Sequence, residues 1–279
     1  MIISTDSTAN LPKHLYKELN ISMIPMQIIL EGETYDDLSE ALGNEEYYDK
    51  MRKGATPTTA QINEYSAKEY FTNLLKNGED ILHISFSSAL SGTCNTMTRV
   101  ANKLNEINEN KIVVIDSLNA CMGEGLLVLK AVELKNAGKT INEIENEIKR
   151  LIPNVRSYFT VEQLKYLVRG GRVSKFSGVV GSVLNIKPIL RVDENGKLVS
   201  YKKVITRKKS LNELVNITNE QIKDTNNVYI CHTVCEADAQ ELSNSLKERL
   251  NVNPIITDLT QVIGCHTGPG LIAVFFFGN

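Results

Sequence analysis

The stretch ILHISFSSALSGT at residues 81–93 decides the fold, because it joins a strand to a helix through a polar loop. Residues 81–86 predict a short buried strand, and a helix is expected to open at Ser91, since apolar residues recur on one face up to about residue 109. The β-branched run at 112–115 predicts the next strand. A strand, a helix and a strand in this order are typical of a parallel sheet with crossover helices.

The same alternation extends through the N-terminal half. Strands are also predicted at residues 2–5 and 24–30, and helices at 12–19, 65–76, 123–136 and from 140 to just before Pro153. Thr140 and Glu143 have the spacing of a capping box. A fresh strand follows Pro153, so we expect an α/β domain with a largely parallel sheet at residues 1–154.

Residues 155–279 are expected to form a second α/β domain, with a mixed sheet and helices. Strands are predicted at 156–160, 189–192, 197–199, 228–232, 255–256 and 271–277, and helices at 161–168, 210–222 and 237–250. Asn195 and Gly196 predict a hairpin between two of these strands, because an Asn-Gly pair supplies the positive φ angles of a tight turn.

The composition narrows the class of protein. A chain of 279 residues with 42% hydrophobic content is long enough for one large or two moderate domains. No apolar run approaches the roughly 20 residues that cross a bilayer, and the first residues do not resemble a secretory signal, so a cytoplasmic protein is expected. The five cysteines predict reduced thiols, and the spacing of Cys231 and Cys235 is not that of a zinc site.

The charge is distributed unevenly. The net charge of −2 argues against a general nucleic-acid binder. Residues 165–209, however, contain twelve Lys or Arg against only Asp193 and Glu194. Such a basic segment is either a solvated face or a surface that docks an acidic partner.

Three polar loops follow predicted strands, where a parallel sheet places its ligands. They begin at Asp6, at Ser87 and at Asp116. The loop at Ser87 offers hydroxyls and Gly92 at the start of a helix, whose free N–H groups attract an anion. It lacks both nucleotide-binding glycine patterns and the basic residue that a triphosphate requires, so a carboxylate fits better. In the alternative interpretation, Ser91 only caps the helix.

Seven short motifs occur in order along almost the whole chain. They are DSTA (6–9), TAQ (59–61), SALSGT (88–93), DS (116–117) with MGEG (122–125), LVRGGRVSK (167–175), LNIKPIL (184–190) and GCHTGPG (264–270). Together they resemble the DegV family of bacterial fatty-acid-binding proteins, which includes the acyl-binding subunits of bacterial fatty acid kinase.

The resemblance implies a two-domain α/β protein that buries a long-chain fatty acid in an apolar tunnel and holds its carboxylate with hydroxyls. The family's hydroxyl residues fall on Thr59 and Ser91, and the histidine near the head group falls on His266. The turn at Thr59 departs from the family pattern, with Ala60 in place of serine and Ile62 in place of proline. A loop histidine bonded to backbone is the alternative interpretation of His266.

The resemblance also implies a partner, the catalytic subunit of a fatty acid kinase, and transient exchange with a membrane. Arg169, Arg172 and Arg207 are then expected to dock an acidic kinase surface or to neutralise the acyl phosphate product. No catalytic residue, metal or cofactor of its own is implied, and no nucleic acid. Residues 178–184, which are small and apolar, are candidates for the tunnel lining.

Two other functions remain open at this level. An enzyme on a related α/β fold, of a kinase-like or phosphosugar-handling kind, would use Asp6, Asp116 and His266 as acid or base groups. It lacks a nucleotide-binding loop and a cluster of metal-binding carboxylates. A nucleic-acid-binding module would use the basic segment, which has few interleaved aromatic residues.

Overall fold

The computed structural model describes residues 1–39, 41–173 and 187–279. The strands are β1 (Ile2–Asp6), β2 (Ile21–Ile24), β3 (Gln27–Leu30), β4 (Glu33–Asp36), β5 (Thr58–Ala60), β6 (Ile81–Ser85), β7 (Ile112–Asp116), β8 (Val155–Thr160), β9 (Ile189–Val192), β10 (Leu198–Lys202), β11 (Tyr229–His232), β12 (Ile255–Asp258) and β13 (Ile272–Phe277). The helices are α1 (Lys13–Glu18), α2 (Asn44–Arg52), α3 (Glu64–Leu75), α4 (Thr93–Asn105), α5 (Met122–Asn136), α6 (Ile141–Leu151), α7 (Lys165–Arg169), α8 (Arg207–Gln221), α9 (Glu236–Leu250) and α10 (Gln261–Thr267). Within the described ranges, no helix combines the length and the apolar character that crossing a membrane requires.

The first sheet is parallel, as predicted. Its strands lie in the order β2-β1-β6-β7, and every neighbouring pair runs in the same direction. Helix α4 crosses over between β6 and β7 and buries Met97, Val100 and Leu104. The loops after β1, β6 and β7 therefore emerge at one edge of the sheet, where polar residues were expected to meet.

The second sheet is mixed, which is also as predicted. Its strands lie in the order β10-β9-β8-β13-β11-β12, and only β11 and β12 pair in parallel. The predicted hairpin joins β9 to β10, although only Gly196, with φ of 73°, has the positive φ expected of both residues of an Asn-Gly pair. The turn is longer than two residues because the Gly196 N–H and the Lys197 carbonyl both bond the backbone of Asp193.

The predicted strand at residues 24–30 is wrong as one element. It divides into β2 and β3, which belong to different sheets. Pro25 lies between them and has no N–H to donate to a ladder, so the chain leaves the first sheet there. Strand β3 then pairs antiparallel with β4 and β5, and Thr59 lies opposite Ile28.

Helix α5 joins the two large sheets. Residues 122–128 are all buried, and one apolar cluster contains Leu127 of this helix together with Ile84 of the first sheet and Phe159 and Ala273 of the second. The two halves of the chain therefore share a core. The predicted boundary at residue 154 falls in the 3-10 turn Ile152–Asn154 and stays a prediction.

Replacing Leu127, which is fully buried in this shared core, should destabilise both halves together. We expect Leu127→Ala to lower the free energy of unfolding by about 2–5 kcal/mol, through lost burial and the cavity left behind. Urea unfolding followed by fluorescence and circular dichroism checks this, with the exposed Asn136→Ala in the same helix as control. Two separated transitions, of which only one moves, would contradict a shared core.

Candidate ligand-binding site

An apolar cavity of about 250 Å³ lies between residues from both halves of the chain. Its walls include side chains that follow or belong to the two large sheets. The apolar lining consists of Met26, Phe86, Leu90, Ala120, Cys121, Phe159, Leu167, Val192, Leu198, Leu259, Val262, Ile263, Leu271, Ala273 and Phe275. Ligand pockets are commonly lined in this way, with mostly apolar side chains and a few polar groups that orient the ligand.

Four polar residues of the lining, Thr59, Ser91, Arg172 and His266, form a group that we call the polar cluster. The Thr59 Oγ1 and His266 Nε2 atoms are 2.9 Å apart, a hydrogen bond that joins β5 to α10 across 207 residues of sequence. His266 therefore bonds a side chain, contrary to the alternative in which it bonds backbone. The structure thus brings together two residues that were both predicted to lie near the head group, and their role in ligand binding stays a prediction.

Helix α10 places His266 beside Thr59 because the helix packs on the N-terminal half. The Gln261 side chain donates to the Leu42 carbonyl at 2.7 Å, and the Tyr47 hydroxyl donates to the Gln261 carbonyl at 3.3 Å. A side chain at Gly264 would collide with the Tyr48 hydroxyl, so glycine allows this close approach.

The second ring nitrogen of His266 determines which proton arrangement suits the site. His266 Nδ1 is buried, has no hydrogen-bond partner among the described residues and lies against Gly170. Burial, followed by the charges of Arg172 and Arg169, lowers the pKa of His266 to about 4, so the ring is neutral near pH 7. A neutral ring with its proton on Nε2 donates to Thr59 and avoids placing an N–H without a partner at Nδ1.

Ser91 belongs to the turn that leads into α4. Its hydroxyl accepts from the Thr93 N–H at 3.2 Å and donates to the Thr93 hydroxyl at 3.0 Å. The residue at the helix cap is Gly92, which lies against the Gln61 side chain so closely that a Cβ would collide with the amide. This contact brings Ser91 to the strand that carries Thr59.

Arg172 belongs to the cavity lining, whereas the sequence predicted that it docks a kinase surface or neutralises the acyl phosphate product. It donates to the Gly170 carbonyl at 2.6 Å and to the Leu90 carbonyl at 3.3 Å, which fixes the guanidinium beside Ser91 and His266. Among the described residues, these two bonds use two of its five N–H groups.

The other two predicted arginines do not line the cavity, although Arg169 is near enough for its charge to lower the pKa of His266. Arg169 is exposed, with its guanidinium 5.4 Å from the centre of the Tyr166 ring. Arg207 begins α8 and pairs with Asp238 at 2.8 Å, away from the residues that line the cavity. The structure therefore separates Arg172 from Arg169 and Arg207, and their docking role stays a prediction.

Asp6 and Asp116, which the alternative enzyme would use with His266, do not line the cavity. The Asp6 carboxylate accepts from the Phe86 N–H, and that of Asp116 accepts from the Ser88 and Leu118 N–H groups. They hold the loops that shape the cavity. Across the three described ranges, His, Cys, Asp and Glu side chains form no group of three or more that suits a metal ion.

Gln61 and Arg172 are polar lining residues that were not predicted to bind the ligand. Gln61 directly follows β5 and belongs to the TAQ motif, but no role was assigned to it. The place of Arg172 in the lining depends on how α7 and its following turn pack against the loop at Leu90. Residues 178–184, predicted to line the tunnel, lie outside the described residues.

A family model described as "Uncharacterised protein, DegV family" matches residues 1–279. The chain belongs to the DegV family. A DegV domain-containing protein of Clostridium perfringens is 38% identical over 283 residues, which cover 100% of this chain and 97% of the relative. The seven motifs thus identified the family correctly.

Solved DegV structures share the fold. A DegV family protein from Thermus thermophilus, described as binding fatty acid, superposes with a TM-score of 0.89 at 27% identity, covering 100% of this chain and 99% of that one. DegV from Bacillus subtilis, described as a fatty acid binding protein, has a TM-score of 0.86 at 28% identity with the same coverage. A Ruminococcus gnavus DegV protein solved with vaccenic acid has a TM-score of 0.88 at 25% identity, covering 98% of each chain.

The neutral state of His266 can be measured directly. We expect its ring resonances to titrate near pH 4, below the ordinary value of 6.5, because burial and two arginines oppose protonation. The unfolded chain takes up this proton first, so the contribution of His266 to stability is lost as the pH falls from 6.5 towards 4. NMR titration checks this, with His266→Asn to assign the signal; an ordinary pKa would mean that the ring is solvated.

Proposed function

We propose that this protein binds a long-chain fatty acid, holds its carboxylate at the polar cluster and presents it to a partner kinase, which forms the acyl phosphate. The protein acts as a cytoplasmic carrier and carries no catalytic apparatus for this reaction. The observation that carries the proposal is an apolar cavity that contains the Thr59–His266 hydrogen bond, with Ser91 and Arg172 beside it. The fatty acids named for the Thermus, Bacillus and Ruminococcus relatives support the same ligand class.

The proton arrangement at the cluster favours a carboxylate. With Nε2–H of His266 donating to Thr59, the single hydroxyl hydrogen of Thr59 is free to point into the cavity. The Ser91 hydroxyl also lines the cavity, and its hydrogen can turn from Thr93 to a ligand oxygen. Two neutral hydroxyl donors and one guanidinium match the two oxygens and the single charge of a carboxylate.

The cationic charge in the cluster is limited to Arg172, because His266 is neutral. A triphosphate or a sugar phosphate carries more charge and needs more cationic groups or a metal to be held. A fatty acid carries a single negative charge and needs only one cationic group. The charge therefore favours the carrier over a phosphosugar-handling enzyme.

Affinity and orientation come from different parts of the ligand. Burying about fifteen methylenes at roughly 0.8 kcal/mol each gives on the order of 12 kcal/mol before the costs of association are subtracted. The cluster adds less free energy but determines which end of the molecule meets the polar side chains. A kinase needs that orientation, since its phosphoryl group must reach the carboxylate.

Organic extraction of the purified protein followed by mass spectrometry should recover about one long-chain fatty acid per chain. The reason is that a tail buried in an apolar cavity dissociates slowly, so the ligand survives purification. Denatured protein washed free of lipid and refolded provides the blank. Lipid-free native protein that turns over ATP without a partner would contradict the carrier function.

The double variant Thr59→Ala with Ser91→Ala should bind fatty acid about tenfold to a hundredfold more weakly, because each lost hydrogen bond to a carboxylate is worth roughly 1.5–3 kcal/mol, partly replaced by water. Isothermal titration with a fatty acid measures this. The matched control, Thr58→Ala with Ser88→Ala, removes the two neighbouring hydroxyls that do not line the cavity. Equal binding by both variants would remove the head-group assignment.

Arg169 and Arg172 should separate ligand binding from docking. We expect Arg172→Ala to weaken fatty-acid binding about tenfold and to slow acyl phosphate formation, because this guanidinium lies in the cavity lining. Arg169→Ala should leave affinity within about twofold and slow only the coupled reaction, since its charge is exposed. Coupled assays with the kinase subunit of fatty acid kinase measure both. Loss of the fold in either variant, seen by circular dichroism, would assign that arginine a structural role.

A further inference from the structure

Two buried carboxyl groups lie behind the cavity wall. Asp6 ends β1 and Glu124 lies in the first turn of α5, and both are fully buried. The Thr8 hydroxyl lies between them, in a short contact with Asp6 Oδ1 and 3.0 Å from Glu124 Oε2. Among the described residues, no lysine or arginine forms an ion pair or hydrogen bond with either group.

The MGEG motif brings Glu124 to this position. A Cβ at Gly125 would lie 2.6 Å from the Ala9 carbonyl, and one at Gly123 would collide with the Ser157 hydroxyl. Glycine on both sides of Glu124 therefore allows α5 to approach the DSTA turn on one side and the second sheet on the other. Two motifs that the ligand site does not use thus meet at one pair of carboxyl groups.

The contacts of Asp6 require a carboxylate. Its oxygens accept from the Thr8 N–H at 3.1 Å, the Phe86 N–H at 3.0 Å, the Ser85 hydroxyl at 3.3 Å and the Thr8 hydroxyl. The two backbone groups can only donate. A protonated Asp6 could place its hydrogen only on the Thr8 or Ser85 hydroxyl, which would then have to turn its own hydrogen elsewhere, so the ionised form fits the four donors best.

The contacts of Glu124 require a proton. Thr8 has one hydroxyl hydrogen, which is used on Asp6, so it offers Glu124 Oε2 a lone pair. Thr5 has one hydrogen for both the Ile84 carbonyl at 2.8 Å and Glu124 Oε1 at 2.9 Å. A neutral Glu124 donates to Thr8 through Oε2 and accepts through Oε1, whereas an ionised one would face the Thr8 lone pair.

We propose that Glu124 is a neutral carboxylic acid which, with an ionised Asp6, positions the wall of the cavity. Asp6 holds the backbone of Phe86, and Glu124 holds the start of α5 three residues after Cys121; both Phe86 and Cys121 line the cavity. Ionising Glu124 would place two like charges around one hydroxyl hydrogen and loosen both attachments. Fatty-acid binding then weakens at alkaline pH, a consequence that rests on the proposed function.

Burial raises the pKa of both Asp6 and Glu124, and the donors around Asp6 oppose that rise, so the hydrogen bonds decide which carboxyl keeps the proton; the surrounding titratable groups do not reverse this. Burial, followed by the charge of Asp6, raises the pKa of Glu124 well above its ordinary value of 4.5. Burial also raises the pKa of Cys121 and Tyr16, which face Glu124, and of Cys94 and Tyr70, which face Asp6, so these groups stay neutral too. On β6, His83 bonds Ser4 and stays neutral, because burial lowers its pKa to about 3.

The test compares Glu124→Gln with Asp6→Asn. A glutamine amide donates to Thr8 and accepts from Thr5 as the neutral acid does, so this variant should fold and bind fatty acid like the wild type. Asp6→Asn places an amide N–H against donors and should raise the unfolding equilibrium constant about tenfold to a hundredfold. The opposite order of effects would reverse the assignment, with Asp6 neutral and Glu124 ionised.

The pH dependence gives a readout that a merely structural role would not change. A carboxyl whose folded pKa is raised contributes stability that is fully present below its unfolded value and lost as the pH rises, because the unfolded chain releases the proton first. Above pH 4.5, the unfolding constant of the wild type should therefore rise up to tenfold more per pH unit than that of Glu124→Gln. Identical pH profiles would mean that Glu124 is ionised in the folded protein.

Infrared difference spectra between the two proteins near neutral pH provide the direct check. The carbonyl band of a protonated carboxylic acid should be present in the wild type and absent from Glu124→Gln, and its absence from both would overturn the proposal. Fatty-acid titrations at about pH 7 and about pH 9 then test the consequence, with only the wild type expected to weaken. If neither protein binds fatty acid, the proposed function fails while the spectra still decide the state of Glu124.

Discussion

The two large sheets are joined because both pack on helix α5. Its first two turns are buried on every side, because the first sheet packs on one face and the second sheet on another. A single sheet covers only one face of a helix, so a helix that is buried on all sides needs a second element to cover it. The second half of the chain therefore completes the core of the first, and the start of α5 becomes the place where loops from both halves meet. The cavity lies there, with Cys121 at the beginning of α5 in its wall.

The position of the cavity explains why its polar residues come from such distant parts of the chain. Thr59 lies on a strand of the small antiparallel sheet, Ser91 follows the first sheet, and His266 lies on a helix of the C-terminal half. None of these elements could form the site alone. The cavity partly shields the imidazole, the hydroxyls and the guanidinium from water. A hydrogen bond to a charged ligand is stronger there than in bulk water. The apolar walls therefore strengthen the hydrogen bonds that the polar cluster can make.

The sequence predicted most features that depend on local contacts and missed most that depend on contacts between distant residues. The strand-helix-strand unit at residues 81–115 was predictable because hydrophobic periodicity and β-branched runs act over a few residues. The division at Pro25 was missed, although a residue without an N–H is a local signal, because the apolar run continues across it. Thr59, Ser91 and His266 were predicted through the family resemblance. The place of Arg172 in the lining was not, because it depends on the Leu90 and Gly170 carbonyls, which only the tertiary structure brings to the guanidinium.

The two carboxyl groups behind the cavity illustrate the same limit in chemical terms. Asp6 and Glu124 are 118 positions apart, and of the two only Asp6 was considered an acid or base candidate from the sequence. In the folded chain the hydrogens around the two groups differ: four donors converge on Asp6, while Glu124 faces the Thr8 hydroxyl, whose hydrogen goes to Asp6, and the Thr5 hydroxyl, whose hydrogen is shared with the Ile84 carbonyl. No lysine or arginine of the described residues bonds either group, so burying both as anions would be costly. Keeping one proton on Glu124 removes that cost and gives each hydroxyl hydrogen an acceptor. A pair of buried acids can in this way stabilise the cavity wall instead of catalysing a reaction.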